Sequence, residues 1–150
     1  MKVAKILAPT DLSTLSRPAV RYAVETALAQ NAEVIVYNVV SEDVEWFDKD
    51  DALSPANALV PQQKLRLDEF VKESCAEFLG KVRINQAVGV GIPYKEIIRK
   101  AEEENADMII MSTHGRTGLD HFMLGSVTEK VVAHAPCRVL SMRPESRHGR

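Results

Sequence analysis

The fold is decided by residues 3–40, VAKILAPTDLSTLSRPAVRYAVETALAQNAEVIVYNVV. This stretch begins and ends with short β-branched runs, Val3–Ala8 and Glu33–Val40, which predict two strands. Between them, apolar residues recur at helical spacing after Pro18, a residue suited to a first helical turn. A strand, a helix and a second strand in this order predict a unit in which the two strands lie parallel.

The same alternation continues to the end of the chain and predicts an α/β fold, with a parallel sheet covered by helices on both faces. Three more strands are predicted at Arg83–Val90, Asp107–Ser112 and Cys137–Met142. The predicted helical stripes consist of Ala19, Val20, Ala23, Val24, Ala27 and Leu28; of Leu67, Phe70, Val71, Cys75, Phe78 and Leu79; of Tyr94, Ile97, Ile98 and Ala101; and of Val127, Val131 and Ala135.

Length and composition exclude several classes of protein. The 150 residues, 45% of them hydrophobic, suffice for one domain. A net charge of -2 without a basic block argues against a nucleic-acid binder. Two cysteines without metal-ligand spacing exclude a disulfide framework and a zinc site. The apolar N-terminal run is broken at Pro9 and Asp11, so we expect no signal peptide and no membrane span, and a cytoplasmic protein.

Two segments depart from the regular pattern. Residues 41–61 contain six acidic residues and two prolines, and they predict a long surface crossover or a lid over a binding site. Residues 143–150 lack an apolar pattern and predict a flexible tail, so the folded domain is expected to span residues 1–142.

Candidate site residues follow three of the predicted strands. In open parallel sheets, ligands bind at the carboxyl ends of strands where the strand order reverses. The residues at these strand ends are Pro9, Thr10 and Asp11 after the first strand, Val39 in the second, and Met111 and Ser112 in the fourth. Asp11 can accept hydrogen bonds from ribose hydroxyls or help to hold a divalent ion; alternatively, it caps the first helix or a turn.

A glycine-rich loop after the fourth strand leads into the last helix. Gly115 and Gly118 allow a close approach of the backbone, and Gly125 precedes a helix whose free N–H groups can bind phosphate. Arg116 adds a positive charge. The alternative is that the glycines only form turns and that Ser126, with Glu129 in a capping-box pattern, only caps the helix. P-loop, dinucleotide-binding and hydrolase-elbow motifs are absent.

The segments KILAPTD, VGVGIPYKEI and ADMIIMSTHGRTGLDHFMLGSVTEKVVAHAPCRVL resemble the universal stress protein family over residues 3–142. The nucleotide-binding branch of that family carries G-x2-G-x9-G-[ST], which matches Gly115, Gly125 and Ser126. The first glycine of the motif falls on Ser112, which is a departure from the pattern.

This resemblance implies a three-layer α/β/α sandwich with a five-stranded parallel sheet of order 3-2-1-4-5, of the adenine nucleotide alpha hydrolase-like type. It implies ATP as a regulatory ligand in a stress response, alone or with Mg²⁺ near Asp11, and a homodimer formed through residues 137–142. Arg138 and Ser141 make that strand less apolar than is usual in the family, so a monomer and a different interface stay open as alternatives. The implied nucleotide contacts are adenine near Val39, adenosine against Pro9 and Asp11, phosphates on Gly115, Arg116, Gly125, Ser126 and Val127, and a pocket lining of Thr10 and Met111.

Two other functions stay open at this point. One is a slow, metal-dependent ATPase or nucleotidyl-transfer enzyme that uses Asp11, and the other is a dimeric scaffold without a nucleotide. Rapid phosphoryl transfer needs several positioned cations and a residue that orients the nucleophile, and the sequence offers one arginine and one aspartate. His114 and His121 flank the glycine loop without a nucleophile partner, so we expect no catalytic role for them.

Overall fold

The structure is a computed structural model that describes residues 2–41, 55–113 and 125–144. Most of the predicted crossover, the loop residues Gly115, Arg116 and Gly118, and most of the predicted tail lie outside these residues. The elements are β1 (Lys5–Pro9), α1 (Arg17–Gln30), β2 (Glu33–Ser41), the short α2 (Pro55–Ala58), α3 (Val60–Ser74), β3 (Arg83–Gly91), α4 (Pro93–Glu103), β4 (Met108–Ser112), α5 (Ser126–His134) and β5 (Arg138–Met142).

All five strands are parallel, in the order β3-β2-β1-β4-β5. This confirms the predicted fold class and strand order, and each strand begins and ends within two residues of its prediction. The chain runs outward from β1 to β2 and β3, and then returns to place β4 on the other side of β1. The strand order therefore reverses between β1 and β4, which is where open sheets of this kind bind ligands.

Side chains alternate along the strands between two cores. Ile6 and Ile110 point into the core that α1 and α3 cover. Leu7, Ile109 and Met111 point into the core that α4 and α5 cover. Because both faces of the central strands are buried, these strands need nearly continuous apolar runs, and that is how their sequences read.

The residues of the predicted helical stripes are buried or partly buried, except for two that are exposed. Leu28 and Leu79 are each 45% exposed, so their prediction as buried residues is wrong. Leu28 follows the buried Ala27, and one residue further rotates the helix by about 100°, away from the core. Leu79 lies beyond the end of α3 at Ser74, after a short 3₁₀ turn, so helical spacing no longer governs its direction.

The end of the predicted crossover is helical. α2 spans Pro55–Ala58 and α3 begins at Val60, one residue before the predicted end of the crossover. Pro61 fits there because the first helical turn does not need its missing N–H group. Among the residues described, no helix is long and apolar enough to cross a membrane.

The two cysteines are free thiols, one buried and one partly buried. Cys75 is fully buried at the end of α3, as its stripe predicts, and burial raises the pKa of its thiol. Cys137, directly before β5, is partly buried, and burial raises its pKa as well. A raised pKa lowers the fraction of reactive thiolate, so both cysteines act as small apolar residues.

Candidate functional site

A cavity of about 320 Å³ opens at the carboxyl edge of the sheet, where the strand order reverses. Its size lies in the range typical of small-molecule sites. The structure brings together the predicted residues that it describes, and Gly115, Arg116 and Gly118 are outside the described part of the chain. The lining consists of Pro9, Thr10, Asp11, Ser16, Tyr37, Val39, Pro93, Ile97, Met111, Ser112, Gly125, Ser126, Val127 and Thr128.

Thr10 organises the loop between β1 and α1. Its N–H donates to the carbonyl of Tyr37 at 2.9 Å, as the last bond between β1 and β2. Its hydroxyl accepts a hydrogen bond from the N–H of Leu12 at 2.9 Å and lies 2.7 Å from the hydroxyl of Ser16. Leu12 has a φ of 68°, an uncommon value for a residue with a side chain, so the bond to Thr10 helps to hold a sharp turn at the edge of the cavity.

The side chain of Asp11 caps a turn, as one of the alternatives for this residue predicts, and Asp11 also lines the cavity. Its Oδ1 accepts hydrogen bonds from the N–H and the hydroxyl of Ser13, at 2.9 and 2.5 Å. The residue that precedes α1 is Ser16, so Asp11 does not cap the helix. The turn fixes the direction of the carboxylate beside the cavity.

The N-terminus of α5 forms another wall. Gly125 is the N-cap residue, with an extended φ of -63° and ψ of 153°, and its carbonyl accepts the first helical bond from Glu129 at 2.9 Å. The predicted capping box is therefore wrong. Ser126 is already the first helical residue, and the N-cap residue Gly125 has no side chain with which to cap the helix. The N–H groups of Ser126 and Val127 precede the first helical bond, and the positive end of the helix lies at the cavity.

Hydrogen bonds tie α5 to the end of β4. Thr128, which is buried, donates from its hydroxyl to the carbonyl of Ser112 at 2.8 Å. The N–H of Gly125 donates to the carbonyl of Thr113 at 2.7 Å. The hydroxyl of Ser112 itself donates to the carbonyl of Leu15 at 3.4 Å, toward the turn before α1. The start of α5 therefore has a fixed position relative to the strand end.

Comparison with known proteins agrees with this architecture. The model of the Universal stress protein family matches residues 2–143. The chain belongs to the universal stress protein family. Universal stress protein MJ0531 of Methanocaldococcus jannaschii is 35% identical, over 93% of this chain and 81% of that protein.

Solved structures of universal stress proteins have the same fold. The structure of MJ0577, also from M. jannaschii, is 32% identical and has a TM-score of 0.72, covering 97% of this chain and 99% of that one. A universal stress protein in complex with cAMP has a TM-score of 0.70 at 24% identity, covering 97% of this chain and all of that one.

In this universal stress protein, five lining residues were not predicted: Ser16, Tyr37, Pro93, Ile97 and Thr128. Tyr37 has a signal in the sequence, because it precedes Val39 by two residues and so lies on the same face of β2. Pro93 and Ile97 follow β3 at the start of α4. Their approach to the cavity comes from packing between elements distant in sequence, which no local pattern shows.

Tyr37 forms a buried wall of the cavity. It is 2% exposed, and burial raises the pKa of its phenol to about 12, so the group stays neutral. Its ring lies over the backbone of β3 at Gly89, where a Cβ atom would overlap with the phenol oxygen and lie 2.9 Å from Cζ. Gly89 therefore provides the space that Tyr37 occupies.

We expect Gly89→Ala to lower the free energy of unfolding by about 1–3 kcal/mol, because overpacking forces a buried ring to move. Urea denaturation measures this change. Tyr37→Phe removes the most severe overlap, so the double variant should be less destabilised than the sum of the two single variants. Strictly additive effects would show that the added methyl group does not meet the phenol.

Proposed function

We propose that the protein binds an adenine nucleotide in this cavity, with ATP as a regulatory ligand in a stress response. The observation that carries the proposal is the N-terminus of α5, whose first residues, Ser126 and Val127, line a cavity in the size range of small-molecule sites. Phosphate suits such a site, since backbone donors and the helix dipole attract anions without a basic surface. This agrees with a net charge of -2.

In the proposed complex, the phosphates lie at the N-terminus of α5 and the base lies at the end of β2. Gly125, Ser126 and Val127 hold the phosphates, and Gly115, Arg116 and Gly118 complete the loop around them. The base lies against the backbone of Val39. The ribose lies between these two regions, at the cavity residues Pro9, Thr10, Asp11, Met111 and Ser112.

The relative in complex with cAMP supports the fold rather than the ligand, because it is only 24% identical. The fit of the cavity carries more weight. The lining combines the N-terminus of α5, which suits an anion, with the side chains of Tyr37 and Ile97. A nucleotide has the same combination, with a charged end and a flat, largely apolar base.

We propose binding rather than efficient catalysis. Oδ1 of Asp11 accepts two hydrogen bonds from Ser13, so the carboxylate already supports the loop. A Mg²⁺ ion that accompanies ATP would lie near Asp11 and neutralise phosphate charge. The protein would then report its nucleotide state to a partner.

The proposed assembly is a homodimer through the edge strand β5. Among the strands that the structure describes, β5 pairs only with β4, and its Leu140 is 36% exposed. The carbonyl of Met142 accepts from Thr113 on the β4 side, so by alternation the backbone of Ser141 points outward. Antiparallel pairing with a second copy would use these outward groups.

Purified protein, denatured by heat, should release an adenine nucleotide that chromatography identifies.

We expect Gly125→Val to weaken ATP binding at least tenfold in calorimetry, or about 1.4 kcal/mol, because its side chain enters the space near the phosphates. The backbone of Gly125 has angles that valine adopts easily, so the effect comes from the side chain. Val132→Ala, an exposed change on the same helix, is the control. Unchanged ATP affinity in Gly125→Val would contradict the assigned phosphate site.

ATP hydrolysis with Mg²⁺ should stay near the background rate in the wild-type protein and in Asp11→Asn. Asparagine keeps the oxygen that Ser13 needs, so the loop should keep its shape. A steady rate well above background, lost in Asp11→Asn while ATP still binds, would instead identify a metal-dependent ATPase.

Sedimentation equilibrium should find a dimer for the wild-type protein and a monomer for Ser141→Pro. Proline removes an outward N–H group and leaves the bonds to β4 in place. Ser141→Ala, which keeps this N–H group, should remain a dimer. A wild-type monomer, or a dimer that survives Ser141→Pro, would disprove the β5 interface.

A further inference from the structure

We infer that the side chains of Asn38 and Thr10 end the ladder between β1 and β2 one step early, and that this opens the backbone of Val39 to the base of the ligand. The inference rests on the proposed nucleotide function and deepens it. Asn38 acts as a positioning residue, since it is not among the residues that line the cavity.

The ladder between β1 and β2 has a definite last bond. The final residue pair is Pro9 with Tyr37, and the N–H of Thr10 donates to the carbonyl of Tyr37 at 2.9 Å. In a parallel ladder, the next two bonds would run from the N–H of Val39 to the carbonyl of Thr10, and from the N–H of Leu12 to the carbonyl of Val39.

Side chains replace both of these bonds. The amide nitrogen Nδ2 of Asn38 donates to the carbonyl of Thr10 at 2.9 Å. The N–H of Leu12 donates to the hydroxyl of Thr10, also at 2.9 Å. The φ of 68° at Leu12 turns the chain away from β2 at this point. The N–H and the carbonyl of Val39 therefore have no partner on β1, although they face the side from which β1 has turned away.

Asn38 is buried in a strand that is otherwise largely apolar, with 2% of its surface exposed. Its Oδ1 accepts a hydrogen bond from Nε2 of Gln63 on α3 at 3.1 Å. Since the carbonyl of Thr10 can only accept, the amide must turn its NH₂ group toward Thr10. Both polar atoms of a buried amide are thus satisfied, which avoids the cost of an unpaired group.

The open backbone of Val39 offers one donor and one acceptor side by side at the cavity. Adenine has a ring acceptor, N1, beside its amino donor, and guanine presents an acceptor and a donor in the reverse order. A fixed strand backbone therefore favours one base over the other. If β1 continued one residue further along β2, the carbonyl of Thr10 would accept a hydrogen bond from the N–H of Val39. This N–H group could then not bind the base, and the selectivity would be lost.

The test uses Asn38→Leu and Thr10→Val, which keep the approximate shape of each side chain. We expect each to weaken adenosine binding at least tenfold and to reduce the ratio of ATP to GTP affinity. In the nucleotide-free protein, Asn38→Leu should slow the hydrogen exchange of the Val39 amide at least tenfold, because the carbonyl of Thr10 becomes free to accept from it.

Val36→Ala is the matched control, as it weakens the same buried face of β2 without touching the ladder end. It should leave adenosine affinity within about twofold. If Asn38→Leu alone does not fold, the double variant Asn38→Leu with Gln63→Leu takes its place in the test. It replaces both side-chain amides of the pair, so no buried amide of Gln63 is left without its partner.

Equal losses of adenosine affinity in Val36→Ala and Asn38→Leu would overturn the inference, since general destabilisation would then explain both. Unchanged Val39 exchange in Asn38→Leu would overturn the role of Asn38 at the ladder end. If the wild-type protein bound no adenine nucleotide while Val39 exchange still slowed in Asn38→Leu, the proposed ligand would be wrong and the role of Asn38 at the ladder end would stand.

Discussion

The return of the chain to the far side of β1 is the constraint on which the site depends. After β3, the chain enters β4 beside β1 rather than beyond β3. The connections after β1 and β4 therefore leave the sheet in different directions, and a gap remains between them at its carboxyl edge. Pro9, Thr10 and Asp11 approach the gap from β1, and Met111 and Ser112 approach it from β4. Residues 100 positions apart thus line one cavity because of topology alone.

Polar side chains hold two stretches of backbone in place at the cavity. The N-terminus of α5 is held by the bond from Thr128 to the carbonyl of Ser112, and by the bond from Gly125 to Thr113. The second stretch is the backbone of Val39, which the side chains of Asn38 and Thr10 keep accessible. Polar side chains therefore serve to position the backbone, and the backbone offers the donors and acceptors. For the proposed nucleotide, this division would supply an anion site without a basic surface.

Sequence patterns predicted the fold because the fold depends on local alternation. Short runs rich in β-branched residues predicted the strands, and helical spacing predicted the helix faces that cover them. The candidate site was predicted where it follows from strand ends, as for Asp11 and Val39. The capping box failed because the pattern at Ser126 does not distinguish an N-cap residue from the first helical residue. The bonds of Asn38 with Thr10 and Gln63 join residues 25 or more positions apart, and no local pattern contains that information.

Two glycines of β3, Gly89 and Gly91, leave room for side chains that pack against the strand. Tyr37 occupies the space over Gly89, and the side chain of Glu96 occupies the space over Gly91, which has a φ of 147°. Glu96 is 4% exposed, and Arg99 binds it through two nitrogens at 3.0 and 2.6 Å. This ion pair lies within α4, the helix from which Pro93 and Ile97 reach the cavity. Gly89 therefore leaves room for the phenol of Tyr37, which lines the cavity, and Gly91 leaves room for the side chain of Glu96 on α4.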